Sequence, residues 1–425
     1  MANEQGTLAT WTRRKLSRRR LLTGAAAGSA GLAVAAACGG DNDAAKATPS
    51  PSAATPDASR GVIGPVEQQK QLRIRSGLTA WDPTKTFDGY TVFAPNRGQQ
   101  AYVIDMDGRV VKSWDLTVDD DAATVWNADA LENGNLFIMI TRPSQDAPPF
   151  VFKGGTIMEM DWDGNEVWRF DDPDQHHDAK LLPNGNLLLL RTERLPDDFA
   201  ASVPGGIPGT EGEHGMWADW VVEATLDGEV VWEWHAQDHL DPNTYPIALP
   251  NARDEWTHGN SVDQLPNGDL LISLRNVDTV AIVDRASGGV TWELRAPAVA
   301  QQHNARVLEN GNVLIFDNGV HRANGSVPYS KVIEIDVDAP EEPVWFYQDP
   351  FLMNFISPFI GGAQRLPNGN TLITEGNFGR LFEVTPENEL VWEYINEFVT
   401  VDQVLGTNNS VYRAHRYPAD WFPNA

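Results

Sequence analysis

Pro183-Asn184-Gly185-Asn186, leading into Leu187-Leu188-Leu189-Leu190, is a hairpin signal. Asn and Gly accept positive φ at low cost, and the apolar run beyond them reads as a buried strand. The signal recurs as Glu132-Asn133-Gly134-Asn135, Pro266-Asn267-Gly268-Asp269, Glu309-Asn310-Gly311-Asn312 and Pro367-Asn368-Gly369-Asn370. Between these turns a tryptophan closes a short strand at Lys112-Ser113-Trp114, Glu166-Val167-Trp168, Val230-Val231-Trp232, Val290-Thr291-Trp292, Pro343-Val344-Trp345 and Leu390-Val391-Trp392. Consecutive tryptophans of this set lie 47 to 64 residues apart, and several follow a turn such as Asp107-Gly108, Asp163-Gly164, Asp227-Gly228 or Gly288-Gly289. Each unit therefore has four strands: one entering Asn-Gly, one leaving it, one ending at the second turn and one carrying the Trp. Four-stranded units at this period predict an all-β fold, a six-bladed β-propeller of four-stranded blades. Only five Asn-Gly hairpins accompany the six tryptophans, and the ends account for the difference. Residues 89–114 supply three strands, and Ser410-Val411-Tyr412-Arg413-Ala414-His415 can supply the fourth. The ring would then close by the C-terminal strand joining the N-terminal blade, which removes an open edge. A β-solenoid or sandwich competes with this reading, but the variable loops and the split terminal unit favour the propeller.

The chain has 425 residues, 41% of them hydrophobic and 9% aromatic, with 15 Trp. That composition supports a large core and excludes global disorder. Lys and Arg number 32 against 59 Asp and Glu, a net charge of −27. Such an acidic chain is a poor binder of nucleic acid or of anionic membrane, so neither is expected as a partner. Ser17-Arg18-Arg19-Arg20-Leu21-Leu22 and the weakly apolar, Gly-rich Leu21–Ala37 read as a twin-arginine (Tat) signal over residues 1–37 rather than a membrane span. Cys38, the only cysteine, follows Val34-Ala35-Ala36-Ala37, which resembles a lipobox. Lipidation there would tether an exported protein to a membrane surface without spanning it. Residues 38–72, rich in Ala, Ser, Pro and Thr, read as a solvated tether, and 73–425 as the propeller. A lone cysteine allows no internal disulfide.

Seven residues before each Asn of the five Asn-Gly turns stand Trp126, His177, Asn260, His303 and Gly361. They begin the triplets Trp126-Asn127-Ala128, His177-Asp178-Ala179, Asn260-Ser261-Val262, His303-Asn304-Ala305 and Gly361-Gly362-Ala363, and Tyr412-Arg413-Ala414 fits the same pattern. These residues are expected to begin the innermost strands around one mouth of a central channel. Residues two apart share a face of a strand, which adds His258, Gln175 and Gln301. At the far end of each following strand stand Arg142, Arg191, Arg275, Asn318 and Asn377. Arg, His, Asn and Gln gathered in an acidic protein suit an anion with many oxygens. A polar channel that only holds water is the competing reading. His235 and His239, four residues apart, and the adjacent His176 and His177 raise a metal site, but no carboxylate cluster of recognised spacing accompanies them. No metal or cofactor is expected.

Trp256-Thr257-His258-Gly259-Asn260-Ser261, Ser273-Leu274-Arg275, Gln302-His303-Asn304-Ala305, Phe316-Asp317-Asn318-Gly319 with Arg322, and Tyr412-Arg413-Ala414 resemble, in order, the bacterial arylsulfate sulfotransferase (arylsulfotransferase, ASST) family. The resemblance implies a six-bladed propeller in the periplasm that moves a sulfuryl group from a phenolic sulfate to a phenol, without the nucleotide donor PAPS. It implies a histidine that takes the group transiently, two further histidines and an arginine. His258 and His303 match the supporting histidines and Arg322 the arginine; His177, Asn260, Arg275, Asn318, Arg380, Tyr412 and Arg413 are the expected substrate-binding residues. The family's nucleophilic position falls on Arg380, in Gly376-Asn377-Phe378-Gly379-Arg380-Leu381-Phe382. A guanidinium cannot accept the group. Another histidine such as His303 or His258 could serve, transfer could be direct with Arg380 as a clamp, or the protein could bind sulfated or aromatic anions without turning them over. A quinone-cofactor propeller is a further alternative, though the Gly-rich docking pattern usual there is missing.

Overall fold

The computed structural model describes residues 76–116, 123–142, 153–322, 327–402 and 406–422. The twin-arginine segment, Cys38 and the tether to residue 72 lie outside the described residues. The chain is all-β, mostly strands with few helices, in a propeller-like arrangement of antiparallel sheets. Two sheets hold one Asn-Gly unit each: Gly259–Gln264, Leu270–Leu274, Thr279–Val283 and Val290–Arg295, then His303–Val307, Val313–Asp317, Lys331–Ile335 and Trp345–Tyr347. A third joins the two ends of the described chain, with Val411–Pro418 paired to Gly89–Pro95, then Gln100–Ile104 and Val110–Asp115.

Two sheets depart from four strands. Gly77–Trp81 adds a fifth strand beside Leu390–Ile395, outside the unit of Gly362–Arg365, Thr371–Glu375 and Arg380–Val384. The second is a seven-stranded sheet in which one long strand, Glu166–Leu181, serves two units. Its first half pairs with Lys153–Met160 as an outer strand, and its second half pairs with Leu187–Arg194 as the first strand of the next unit. The connection between these units carries the turn-like Asp171-Asp172-Pro173-Asp174, yet the strand runs through it and the sequence's two strands join.

The repeat markers have visible work. Four of the six closing Trp indoles reach the turn of a neighbouring sheet: Trp114 Nε1 donates to Asp161 O at 3.3 Å, Trp232 to Arg285 O at 3.0 Å, Trp345 to Pro386 O at 2.9 Å and Trp392 to Met106 O at 3.0 Å. In several of the Asn-Gly turns the Asn side chains fold back on a carboxylate in the third strand of their unit. Asn133 and Asn135 meet Glu159 at 2.8 and 2.6 Å, and Asn310 and Asn312 meet Glu334 at 3.1 and 2.7 Å.

The triplets stitch the first strands to one another. The middle residue of one triplet accepts the backbone N–H of the third residue in the next: Val262 N to Asp178 at 3.0 Å, Ala305 N to Ser261 at 2.9 Å and Ala363 N to Asn304 at 3.1 Å. Asp178 does more. It is 2% exposed and also binds Arg306 at 2.9 Å and Arg413 at 2.7 Å. These charges hold the carboxyl far below its ordinary pKa despite burial. Asp178→Ala would leave two guanidinium groups buried without their counter-charge, and we expect a loss of about 3–5 kcal/mol in urea unfolding. A loss below about 1 kcal/mol would mean that the backbone stitches alone hold these strands.

Candidate active site

The first residues of the triplets meet. Trp126 stands 5.3 Å from His177 and 4.6 Å from Tyr412, ring centre to ring centre, and its indole N–H donates to His177 O at 3.1 Å. The His177 and His258 rings are 4.8 Å apart. Tyr412 Oη donates to Asn260 O at 3.2 Å. His177, His258 and Gln301 hold left-handed backbone, with φ of 50°, 52° and 54°. Non-glycine residues rarely adopt it unless the surroundings fix them there.

Each histidine has a partner that orients it. His258 Nδ1 lies 2.5 Å from Glu255 Oε2. His176 and His177 share an Nδ1-to-Nδ1 contact of 2.8 Å, and His176 Nε2 lies 3.2 Å from Asp219 Oδ1. Asp219 also accepts the Thr257 hydroxyl and Gly259 N, the latter at 2.7 Å. His303 Nδ1 lies 2.7 Å from Asn318 Oδ1. The Asn318 amide nitrogen donates to two carbonyls, Ser357 O at 2.7 Å and Ile360 O at 3.0 Å, so its oxygen is the end that faces the imidazole.

Arg275 supplies the positive charge. Its guanidinium donates to Asn251 and Gln301, each at 3.2 Å, and to Asn276 at 3.0 Å, all neutral oxygens. Among the described residues no carboxylate lies within 4.0 Å of it, whereas Arg306, Arg322, Arg380 and Arg413 all have one. Burial lowers the Arg275 pKa, against the pull of Glu255 and Asp278. A half-buried cation with only neutral ligands has capacity left for an anion.

Burial, and then the charge of Arg275, pushes His258 down to about 3 and holds His303 well below the imidazole range. Burial, then His258, does the same for His177. Burial and the nearby Asp219 raise the Glu255 carboxyl well above its usual range. At neutral pH the cluster is three uncharged imidazoles and a guanidinium, a set that can bind an oxyanion, act as a nucleophile and exchange protons.

The other expected residues lie as follows. Arg322 donates to Asp317 at 2.5 Å and to Tyr329 O at 3.1 Å, and no contact among the described residues joins it to the histidines. Arg380 is held by Glu393 at 2.6 Å and Glu375 at 3.1 Å. Arg413 turns toward Asp178 and Asn260 O, and Asn260 gives its amide to Gln302 O at 2.7 Å. Arg191 is tied to Asp172 at 2.6 Å. Sequence reasoning missed Glu255, Asp219 and the part of His176. Glu255 was findable, three residues before His258; nothing local in the sequence marks Asp219.

A cavity of about 870 Å³ lies farther along the same strands, beside Asp178. Its cations are spoken for, Lys180 by Asp263, Arg306 by Asp178 and Arg365 by Glu334, which makes it the poorer anion site. Among the described residues no group of three His, Cys, Asp or Glu is placed to hold a metal ion.

The family model described as Arylsulfotransferase (ASST) matches residues 128–397. No curated protein matches the chain. Similar solved structures include a protein of unknown function from Bacteroides caccae, 14% identical over 77% of this chain and 98% of that one, with a TM-score of 0.48. A virginiamycin B lyase from Staphylococcus aureus is 11% identical over 77% of this chain and 94% of that one, with a TM-score of 0.40.

The depressed His258 gives a pH signature. Its unfolded form takes up a proton near pH 6.5, while the folded form waits until about 3, so its contribution is present above 6.5 and is lost as pH falls toward 3. Glu255 acts in the opposite sense above about pH 4.5, where the folded state keeps a proton that the unfolded state releases. The comparison is therefore a difference between two chains. Between pH 6 and 4 His258→Asn is expected to lose stability less steeply than the wild type, by up to about 1.4 kcal/mol per pH unit in urea unfolding. Parallel curves would show that His258 takes up its proton in the folded state as readily as in the unfolded one.

Proposed function

Because this chain belongs to the arylsulfotransferase family, we propose that it moves a sulfuryl group from a phenolic sulfate ester to a phenol, without PAPS and without a cofactor. The observation that carries this is Arg275, a cation with only neutral hydrogen-bond partners beside His258 and His303. Sulfuryl transfer spreads charge over the non-reacting oxygens. A preorganised guanidinium and neutral imidazoles in a site with little water supply most of the stabilisation such a transfer needs. His177 and Trp126, backed by the buried Tyr412, are the aromatic groups of the cluster that would border the phenyl ring.

The same reading makes the fold a closed, six-bladed ring, supported by the pairing of Gly89–Pro95 with Val411–Pro418 and by the Trp392 bond to Met106 O. It also has the protein exported by the Tat route and held at a membrane surface through lipid on Cys38, from the residue pattern alone.

A second reading, a tethered propeller that binds sulfated or aromatic anions without turnover, is favoured by Arg380. It occupies the position where the family's nucleophile is expected and is engaged by two glutamates. Release of p-nitrophenol from p-nitrophenyl sulfate with an added phenol separates the two. Turnover is expected, and Arg275→Ala should lower kcat/KM by roughly 10²–10³-fold, while Arg322→Lys should change it by less than about 10-fold. Tight sulfate binding with no release would select the second reading.

A further inference from the structure

We propose that His303 is the residue that takes the sulfuryl group, through Nε2, and that Asn318 is the positioning residue that fixes its tautomer; this rests on the transferase reading above.

Asn318 is locked by hydrogen bonds at both ends of its amide. Its amide nitrogen is committed to Ser357 O and Ile360 O, so Oδ1 is presented to His303 Nδ1 at 2.7 Å. The other neighbour of Nδ1 is also an acceptor, Gln301 O at 3.2 Å. Two acceptors on one ring nitrogen require that nitrogen to carry the proton. The neutral ring then has its lone pair on Nε2, which makes no hydrogen bond among the described residues. Burial and the Arg275 charge keep the ring unprotonated at neutral pH. The ordering of this nitrogen is therefore built into the fold, since Ser357 and Ile360 lie in the connection that leads from the sheet of His303 to the next one.

The step balances. His303 Nε2 forms a bond to sulfur as the bond from sulfur to the phenolic oxygen breaks, giving an N-sulfo-imidazolium that keeps Nδ1–H on Asn318. The leaving phenolate takes a proton from His258 Nε2, while Glu255 in its carboxylic acid form, the form that burial favours, returns one to His258 Nδ1 across their 2.5 Å contact. In the second half the acceptor phenol gives its proton to His258, Glu255 recovers its own, and the phenol oxygen displaces His303 from sulfur. Arg275, which shares Gln301 with His303, stays on the sulfuryl oxygens through both halves. Arg380 takes no part.

The test is acid-quench peptide mass mapping of the full chain after exposure to p-nitrophenyl sulfate without acceptor. A gain of about 80 Da on His303 is expected, discharged by added phenol. His303→Gln should lower release on the order of 10³-fold or more with an unchanged thermal melt. Asn318→Leu should lower kcat by roughly 10²–10⁴-fold, KM changing less, with the adduct still on His303 but forming slowly. A purely structural Asn318 would instead lower the melt and leave the rate per folded molecule intact. An adduct on His177 or His258, or full transfer with no adduct, would overturn this inference and keep the transferase reading. Absence of both release and adduct would overturn the two together.

Discussion

One buried carboxylate holds the centre together. Asp178 binds the guanidinium groups of Arg306 and Arg413 and the backbone N–H of Val262, so residues far apart in sequence share one acceptor. A charge taken out of water is costly unless it is fully paired. Here the pairing is fully made only when four first strands stand in one register. Slipping a single strand by one residue would turn its side chains to the other face and strip Asp178 of a partner. The smaller stitches, Ser261 to Ala305 N and Asn304 to Ala363 N, repeat the device without charge.

This knot also divides the interior electrically. Arg306 and Arg413 are neutralised by Asp178, and the cavity beyond them presents paired ions. On the histidine side Arg275 has only amide oxygens. In a chain with a net charge of −27, Arg275 thus has no carboxylate within 4.0 Å among the described residues. Glu255, whose charge pulls on it, is kept from full charge by burial and by Asp219. Burial first, and then the positive charge of Arg275, disfavours proton uptake by His258 and His303, while His177 is held down by burial and then by His258.

The repeat was legible because its signals are local. Asn-Gly turns, closing tryptophans and the small-residue triplets each encode one turn, one indole staple or one stitch, and the strand ends follow from them within a residue or two. His177, His258, His303 and Arg275 were legible as a cluster for the same reason, since equal places in equal units begin near one another. Three features were not legible. Gly77–Trp81 joins a sheet more than 300 residues away, with no turn signal linking them. The fused strand Glu166–Leu181 runs through Asp171-Asp172-Pro173-Asp174, residues that locally signal a turn, so the sequence points away from it. The fate of the arginines was decided by carboxylates on other strands. Arg322 meets Asp317, and Arg380 meets Glu375 and Glu393; sequence distance alone does not say which arginine finds a counter-ion.

The pairing of Arg380 bears on where a nucleophile can stand in such a fold. Arg380 is fixed by two glutamates, one of them, Glu375, pushed up to about 7 by burial. The guanidinium there serves the packing of its own sheet, stacked at 4.1 Å on Phe382. Catalysis by group transfer needs one lone pair at the reacting atom and fixed donors around it; it does not need them from a particular strand. Since the first strands of several units converge, an imidazole from any of them reaches the same space. What singles out one ring is then its tautomer and charge state. Of the three imidazoles, His303 is the one whose proton is assigned by a side-chain amide that is itself locked by two carbonyls. His177 shares its Nδ1 contact with a second imidazole, and His258 shares its own with a carboxyl that can hold or release a proton. Those two arrangements suit proton traffic, and the Asn318 arrangement suits a fixed lone pair.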